Sequence, residues 1–120
     1  MLETLILKEE DVKKLLNMNE VLNVVEQVFK EKTLGRVQMP PKMYVYFESF
    51  NGDLRVMPSY VETFGISAVK VVNVHPDNRR YNLPTVMATI TLVDPKTGAP
   101  LAIMGGTWIT AMRTGAASGV

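Results

Sequence analysis

Three cations stand among residues that do not suit a solvated charge. Lys70 lies within Ser67-Ala68-Val69-Lys70-Val71-Val72, where strand alternation puts it on one face with Ala68 and Val72. Its amine is either at a sheet edge, with the stem packed, or held in a pocket. In a pocket, desolvation drives it toward neutrality and makes it a usable acid/base group. Arg113 is the only charge after Lys96, in a segment of Ala, Thr, Gly and Met. A buried guanidinium does not neutralise, so it needs an anion: Asp94, another carboxylate of the protein, or a ligand. Arg55, in Asp53-Leu54-Arg55-Val56, either pairs with Asp53 or points into a cleft. Together the three suggest a pocket for the carboxylate of an amino or keto acid. His75, before Pro76, reads as a structural residue in a turn. No Gly-x-Gly-x-x-Gly, P-loop, paired-carboxylate or Ser-His-Asp pattern occurs.

These side chains need a scaffold, and the periodicities supply one. Residues 4–7 read as a short strand and residues 8–18 as a short helix. Asn19 is the expected N-cap of a longer helix to about Leu34, with Val21, Val24, Val25 and Val28 on one buried stripe. After the stiff Pro40-Pro41 the pattern turns to strands at 43–49 and 54–57, joined by an Asn51-Gly52-Asp53 turn. The β-branched run 67–74 suits a central strand. Residues 85–93 turn back through Asp94-Pro95-Lys96-Thr97-Gly98 into 101–104. Residues 107–120 have small-residue helical character, with Thr107 or Thr110 as cap. The expected fold is α+β: two N-terminal helices packed on a mixed, mainly antiparallel sheet of five or six strands, and a final helix.

Composition narrows the classes. The 120 residues allow one domain, and 47% hydrophobic with 21% charged residues fits a globular chain. Thirteen basic against twelve acidic residues give +1, too weak a field for nucleic acid or an anionic membrane as partner. The absence of cysteine and the single histidine exclude thiol catalysis and thiolate or histidine-rich metal sites. No secretory signal or membrane span is visible, so a cytoplasmic protein is expected. Residues 1–36 carry thirteen charges, whereas residues 81–120 carry only Asp94, Lys96 and Arg113, so the second half reads as buried or interfacial. The chain reaches Val120 in mid-pattern, so it is expected to be part of a longer protein.

Four ordered segments carry a resemblance: Leu54-Arg55-Val56-Met57-Pro58; Val69-Lys70-Val71-Val72-Asn73-Val74-His75-Pro76-Asp77-Asn78; Leu83-Pro84-Thr85-Val86-Met87-Ala88; and Met112-Arg113-Thr114-Gly115-Ala116-Ala117. In this order they resemble the amino-terminal part of the ornithine cyclodeaminase and mu-crystallin family. Residues 1–7 and Gln38-Met39-Pro40-Pro41-Lys42 are most similar to its archaeal alanine dehydrogenase branch. The resemblance implies that residues 1–120 form a substrate-binding and dimerisation domain, with the Rossmann domain for NAD, or NADP, lying beyond Val120. It implies an acid/base role in contact with substrate for Lys70, and the substrate carboxylate for Arg55. Thr85 and Arg113 match positions at the nicotinamide end of the cofactor, Arg113 also facing substrate. Lys42 stands near a carboxylate-binding arginine of the cyclodeaminases.

The implied activity of the intact protein is NAD-dependent oxidative deamination of L-alanine to pyruvate and ammonia. Ornithine cyclodeamination and reduction of a cyclic imine, pyrroline-carboxylate, are alternatives within the family. A non-catalytic, mu-crystallin-like binding or dimerisation module is an alternative of another class. The implied partners are a small amino or keto acid and a second copy of the chain through the sheet. Residues 1–120 alone are expected not to turn over.

Overall fold

The computed structural model describes residues 2–119. Strand β1 (Leu5–Leu7) leads into α1 (Glu9–Leu15) and α2 (Met18–Thr33). Strands β2 (Val37–Gln38), β3 (Met43–Phe47), β4 (Gly52–Val61) and β5 (Ile66–Val74) follow. Then come β6 (Val86–Val93), β7 (Pro100–Gly105) and α3 (Thr107–Gly119). The strands form one sheet in the order β1-β7-β6-β5-β4-β2, with β3 also pairing β4. Among the described residues only β1 and β7 run parallel, and the other strand pairs are antiparallel. The fold class is the expected α+β with a mostly antiparallel sheet.

Several local boundaries differ from expectation, each for a physical reason. Asn17, not Asn19, caps α2: its side-chain oxygen accepts the Glu20 N–H at 2.9 Å, so α1 ends at Leu15 and α2 starts at Met18. The sheet has seven strands because Val37 and Gln38 pair with Val61 and Tyr60, a match too short to show as a periodicity. Strand β4 runs past Met57 through Pro58 to Val61. The turn before β4 is a single 3-10 turn at Glu48–Phe50, closed by Asn51 in the left-handed region (φ 49°). The stripe expected to bury α2 is only half covered: no residue of α2 is fully buried, and Val24 is 48% exposed. The reason is that α2 rests chiefly on α3 rather than on the sheet. Val120, the last position of the expected final helix, lies outside the described residues.

The register sorts the sheet into two unlike faces. Arg55, Val72 and Ala88 are directly opposed, as are Met57, Lys70 and Ile90, and all six share the face that carries the helices. The small core sits there, with Val12, Met112 and Ala116 of the helices against Val72, Ala88 and Ala102. On the opposite face lie Val45, Val56, Val71, Thr91, Leu101 and Ile103, and none of the described helices packs on that face. Among the described residues no helix is long and apolar enough to cross a membrane.

Candidate functional site

Lys70 occupies the middle of the central strand β5, flanked in register by Met57 and Ile90. That settles the choice left open by its sequence context: it is not at an edge. Above it, α3 presents Ile109 and Arg113, four residues apart and so on one helix face. The remaining wall is the segment Met39-Pro40-Pro41-Lys42. Strand β2 pairs with the far end of β4 (Tyr60, Val61) and β3 with its near end (Gly52–Val56), leaving Met57–Ser59 unpaired along that edge. Proline has no N–H to give to a ladder, so Pro40 and Pro41 interrupt the edge between β2 and β3. This segment borders a cavity of about 500 Å³ whose lining includes Lys42, Lys70 and Arg113. This volume is in the range of small-molecule sites.

The electrostatics of this cavity are one-sided. Among the described residues, none of the three cations pairs with a carboxylate, and no acidic residue lines the wall. Lys70 is half-buried, and its amine is held below the ordinary lysine value of 10.5. Burial is the largest cause, followed by the like charges of Arg113 and then Lys42. Such a group carries a larger neutral fraction than a free lysine at the same pH. The cavity therefore offers a cationic rim for an anion and an amine able to exchange protons with whatever that anion anchors.

Two of the expected site residues lie elsewhere. Arg55 shares the sheet face of Lys70 but does not line the cavity. Asp53, two residues away on the same face, takes its guanidinium in a two-point ion pair (Nε to Oδ1 2.8 Å, Nη2 to Oδ2 3.2 Å). The Tyr44 ring lies beneath it at 5.1 Å. The pairing lowers the Asp53 pKa and raises that of Arg55. The convergence of one amine and two guanidinium groups is thus met by two amines and one guanidinium. Thr85 precedes β6, where its carbonyl accepts the His75 N–H at 2.8 Å. It is five residues from Ile90, the register partner of Lys70, which is roughly 16 Å along a strand. Of the two positions matched to the nicotinamide end, only Arg113 borders the cavity.

His75 packs its ring on Phe47 (centroids 5.7 Å apart) and over Gly52, where a Cβ would collide with it. One residue was not visible from sequence. Glu9 reaches the start of α3, its Oε1 accepting the Thr107 N–H at 2.7 Å and its Oε2 the Trp108 N–H at 3.2 Å. The expected caps act differently. The Thr107 hydroxyl accepts the Ala88 N–H at 3.1 Å, and the Thr110 hydroxyl donates to the Gly106 carbonyl at 2.7 Å. Gly105 leaves room for that carboxylate: a Cβ there would collide with it.

Comparison with known proteins agrees with this frame. The chain is 50% identical over 119 residues to an alanine dehydrogenase of Archaeoglobus fulgidus, covering 99% of this chain and 36% of that protein. The structure of a Thermococcus litoralis Delta(1)-pyrroline-2-carboxylate reductase with NADH and L-proline superimposes with a TM-score of 0.95 at 50% identity. That match covers 97% of this chain and 36% of the other. An archaeal alanine dehydrogenase dimer with bound NAD gives 0.91 at 50% identity, covering 97% and 35%. The chain thus spans about a third of the length of these relatives. The family model described as ornithine cyclodeaminase/mu-crystallin family matches residues 2–120. The chain belongs to the ornithine cyclodeaminase/mu-crystallin family.

Proposed function

We propose that this chain is the substrate-binding and dimerisation part of an NAD-dependent amino-acid oxidoreductase, and that its reaction is the reversible oxidative deamination of L-alanine to pyruvate and ammonia. One observation carries the reading: Lys42, Lys70 and Arg113, unpaired with any carboxylate among the described residues, line a single cavity of small-molecule size. Arg113 and Lys42 hold the carboxylate of the substrate, and Met57, Ile90 and Ile109 accommodate a short apolar side chain. Arg55 stays with Asp53 in a separate cleft, lined also by Tyr46 and Val74. Lys70, whose neutral form is favoured by burial and then by the like charges of Arg113 and Lys42, takes a proton from the water that adds to the imine carbon and returns one to the departing amine. NAD, or NADP, supplies the hydride acceptor when bound. The residues present fit its nicotinamide end at Arg113 beside the apolar Ile90 and Ile109. The sequence holds no glycine-rich phosphate loop, so the nucleotide grip belongs to the rest of a longer, cytoplasmic protein.

A second reading, reduction of pyrroline-2-carboxylate, is favoured by the 0.95 TM-score of the Thermococcus reductase and uses the same cationic rim. Ornithine cyclodeamination fits less well, because a second ammonium group finds no acidic residue in this wall. The uncovered sheet face, with Leu101 and Ile103 more than 40% exposed, supports a homodimer through the sheet. The test is turnover by the full-length protein, followed as NADH with L-alanine, with pyruvate plus ammonia and with pyrroline-2-carboxylate, and as proline release with L-ornithine and NAD, a conversion that leaves no net NADH. Alanine turnover that vanishes in Lys70→Ala supports the reading. Near-normal rates in Lys70→Ala overturn the role of Lys70, and no turnover of any of these acids leaves the non-catalytic module as the answer.

A further inference from the structure

Arg113 stands where three hollows meet. Besides the cavity of Lys70, it borders an apolar groove between α2 and α3 and another beside Val37 and Val61. Sliding α3 by one residue would turn a side chain by about 100° and send the guanidinium toward α2. Something must fix the helix in rotation and height. The candidate lies at its other end. Both carboxylate oxygens of Glu9 accept N–H groups of the first turn of α3, where no intrahelical partner exists. Gly105 lies against that carboxylate so closely that a Cβ would come within 2.5 Å of Oε1. Gly106 is seated against Ile90, with a Cβ position only 2.9 Å from its Cγ1. One turn along α1, the Lys13 ammonium sits 5.4 Å from the centre of the Trp108 ring, a second tie between the same two helices.

We infer that Glu9 is a positioning residue: by clamping the first turn of α3 to α1 it keeps the guanidinium of Arg113 at the cavity, where it holds the substrate carboxylate. The inference rests on the reading of that cavity as the amino-acid site. Glu9 touches neither substrate nor cofactor, so its loss is felt through Arg113.

The test uses the full-length protein and four variants: Glu9→Ala, Glu9→Gln, Gly105→Ala and Arg113→Ala. Displacing Arg113 can cost no more than removing it, so Glu9→Ala raises the KM for L-alanine by up to about tenfold, with kcat changed less than about threefold. Glu9→Gln keeps one acceptor oxygen and recovers part of the loss. Gly105→Ala pushes the same carboxylate off α3 without altering Glu9, so it reproduces the KM rise and stands in should Glu9→Ala not fold. Adding Glu9→Ala to Arg113→Ala produces no further rise, because the two act on one contact. Hydrogen exchange at the Thr107 and Trp108 amides quickens in Glu9→Ala. An unchanged KM, or a penalty in the Arg113→Ala background as large as in the wild type, overturns the inference. If the wild type turns over no amino or oxo acid, the functional reading fails, and exchange decides the clamp alone: faster exchange supports it and unchanged exchange refutes it.

Discussion

Replacing Arg113 by alanine should act on the cavity in two separable ways. The first is loss of the proposed carboxylate anchor. A hydrogen bond to a charged group contributes about 1.5–3 kcal/mol, and the exposed position of Arg113 argues for the lower end, or about a tenfold fall in kcat/KM for L-alanine. The second concerns Lys70. Burial and the positive charge of Arg113, in that order, hold its amine below 10.5, with Lys42 a smaller cause of the same sign. Removing a like charge makes the protonated amine easier to keep, so the Lys70 pKa rises toward 10.5 while burial still holds it below. Oxidative deamination needs the neutral amine, so the pH at which kcat/KM reaches half its plateau must move upward in Arg113→Ala. Lys42→Met shifts it in the same direction by less. The assay is the initial rate of NADH formation by the full-length protein from about pH 7 to pH 11, a range that brackets the titration of a perturbed lysine. A fall in kcat/KM with an unmoved or lowered midpoint would refute the electrostatic coupling of the two residues.

Two further outcomes follow from the sheet. Val72, 5% exposed between Arg55 and Ala88 in the register, is core, so Val72→Ala should cost about 2 kcal/mol in urea unfolding of the full-length protein; a loss under about 0.5 kcal/mol would contradict its placement. Ile103 lies on the uncovered face at 42% exposure, so Ile103→Asp should leave the helix-side cavity intact but dissociate the proposed sheet-mediated dimer to monomers in sedimentation; a sedimentation coefficient unchanged from wild type would contradict that interface.

The long strands and the last helix were legible because β-branched runs and small-residue spacing are local signals. The reading of Lys70 as a group within the domain came from the same run, but edge or centre depended on pairing with Met57 and Ile90, which only the register supplies. Arg55 shows the converse. Asp53, two residues away on the same strand face, is a partner the sequence itself offers, and the ion pair that occupies the guanidinium is a short-range contact that outweighs the cleft. Lys42 was placed near the site by resemblance, while its physical cause is the edge break at Pro40-Pro41. Glu9 was out of reach, because its partners Thr107 and Trp108 lie nearly the whole chain away and no periodicity links a first-turn glutamate to a distant helix start.

A crystal structure of the full-length protein with NADH and pyruvate would address the substrate site most directly. The carboxylate should lie within hydrogen-bonding distance of the Arg113 guanidinium and the Lys42 ammonium, with the Lys70 amine next to the oxo carbon and Arg55 still on Asp53. Pyruvate bound in the cleft of Arg55, with Lys42, Lys70 and Arg113 facing solvent, would contradict it.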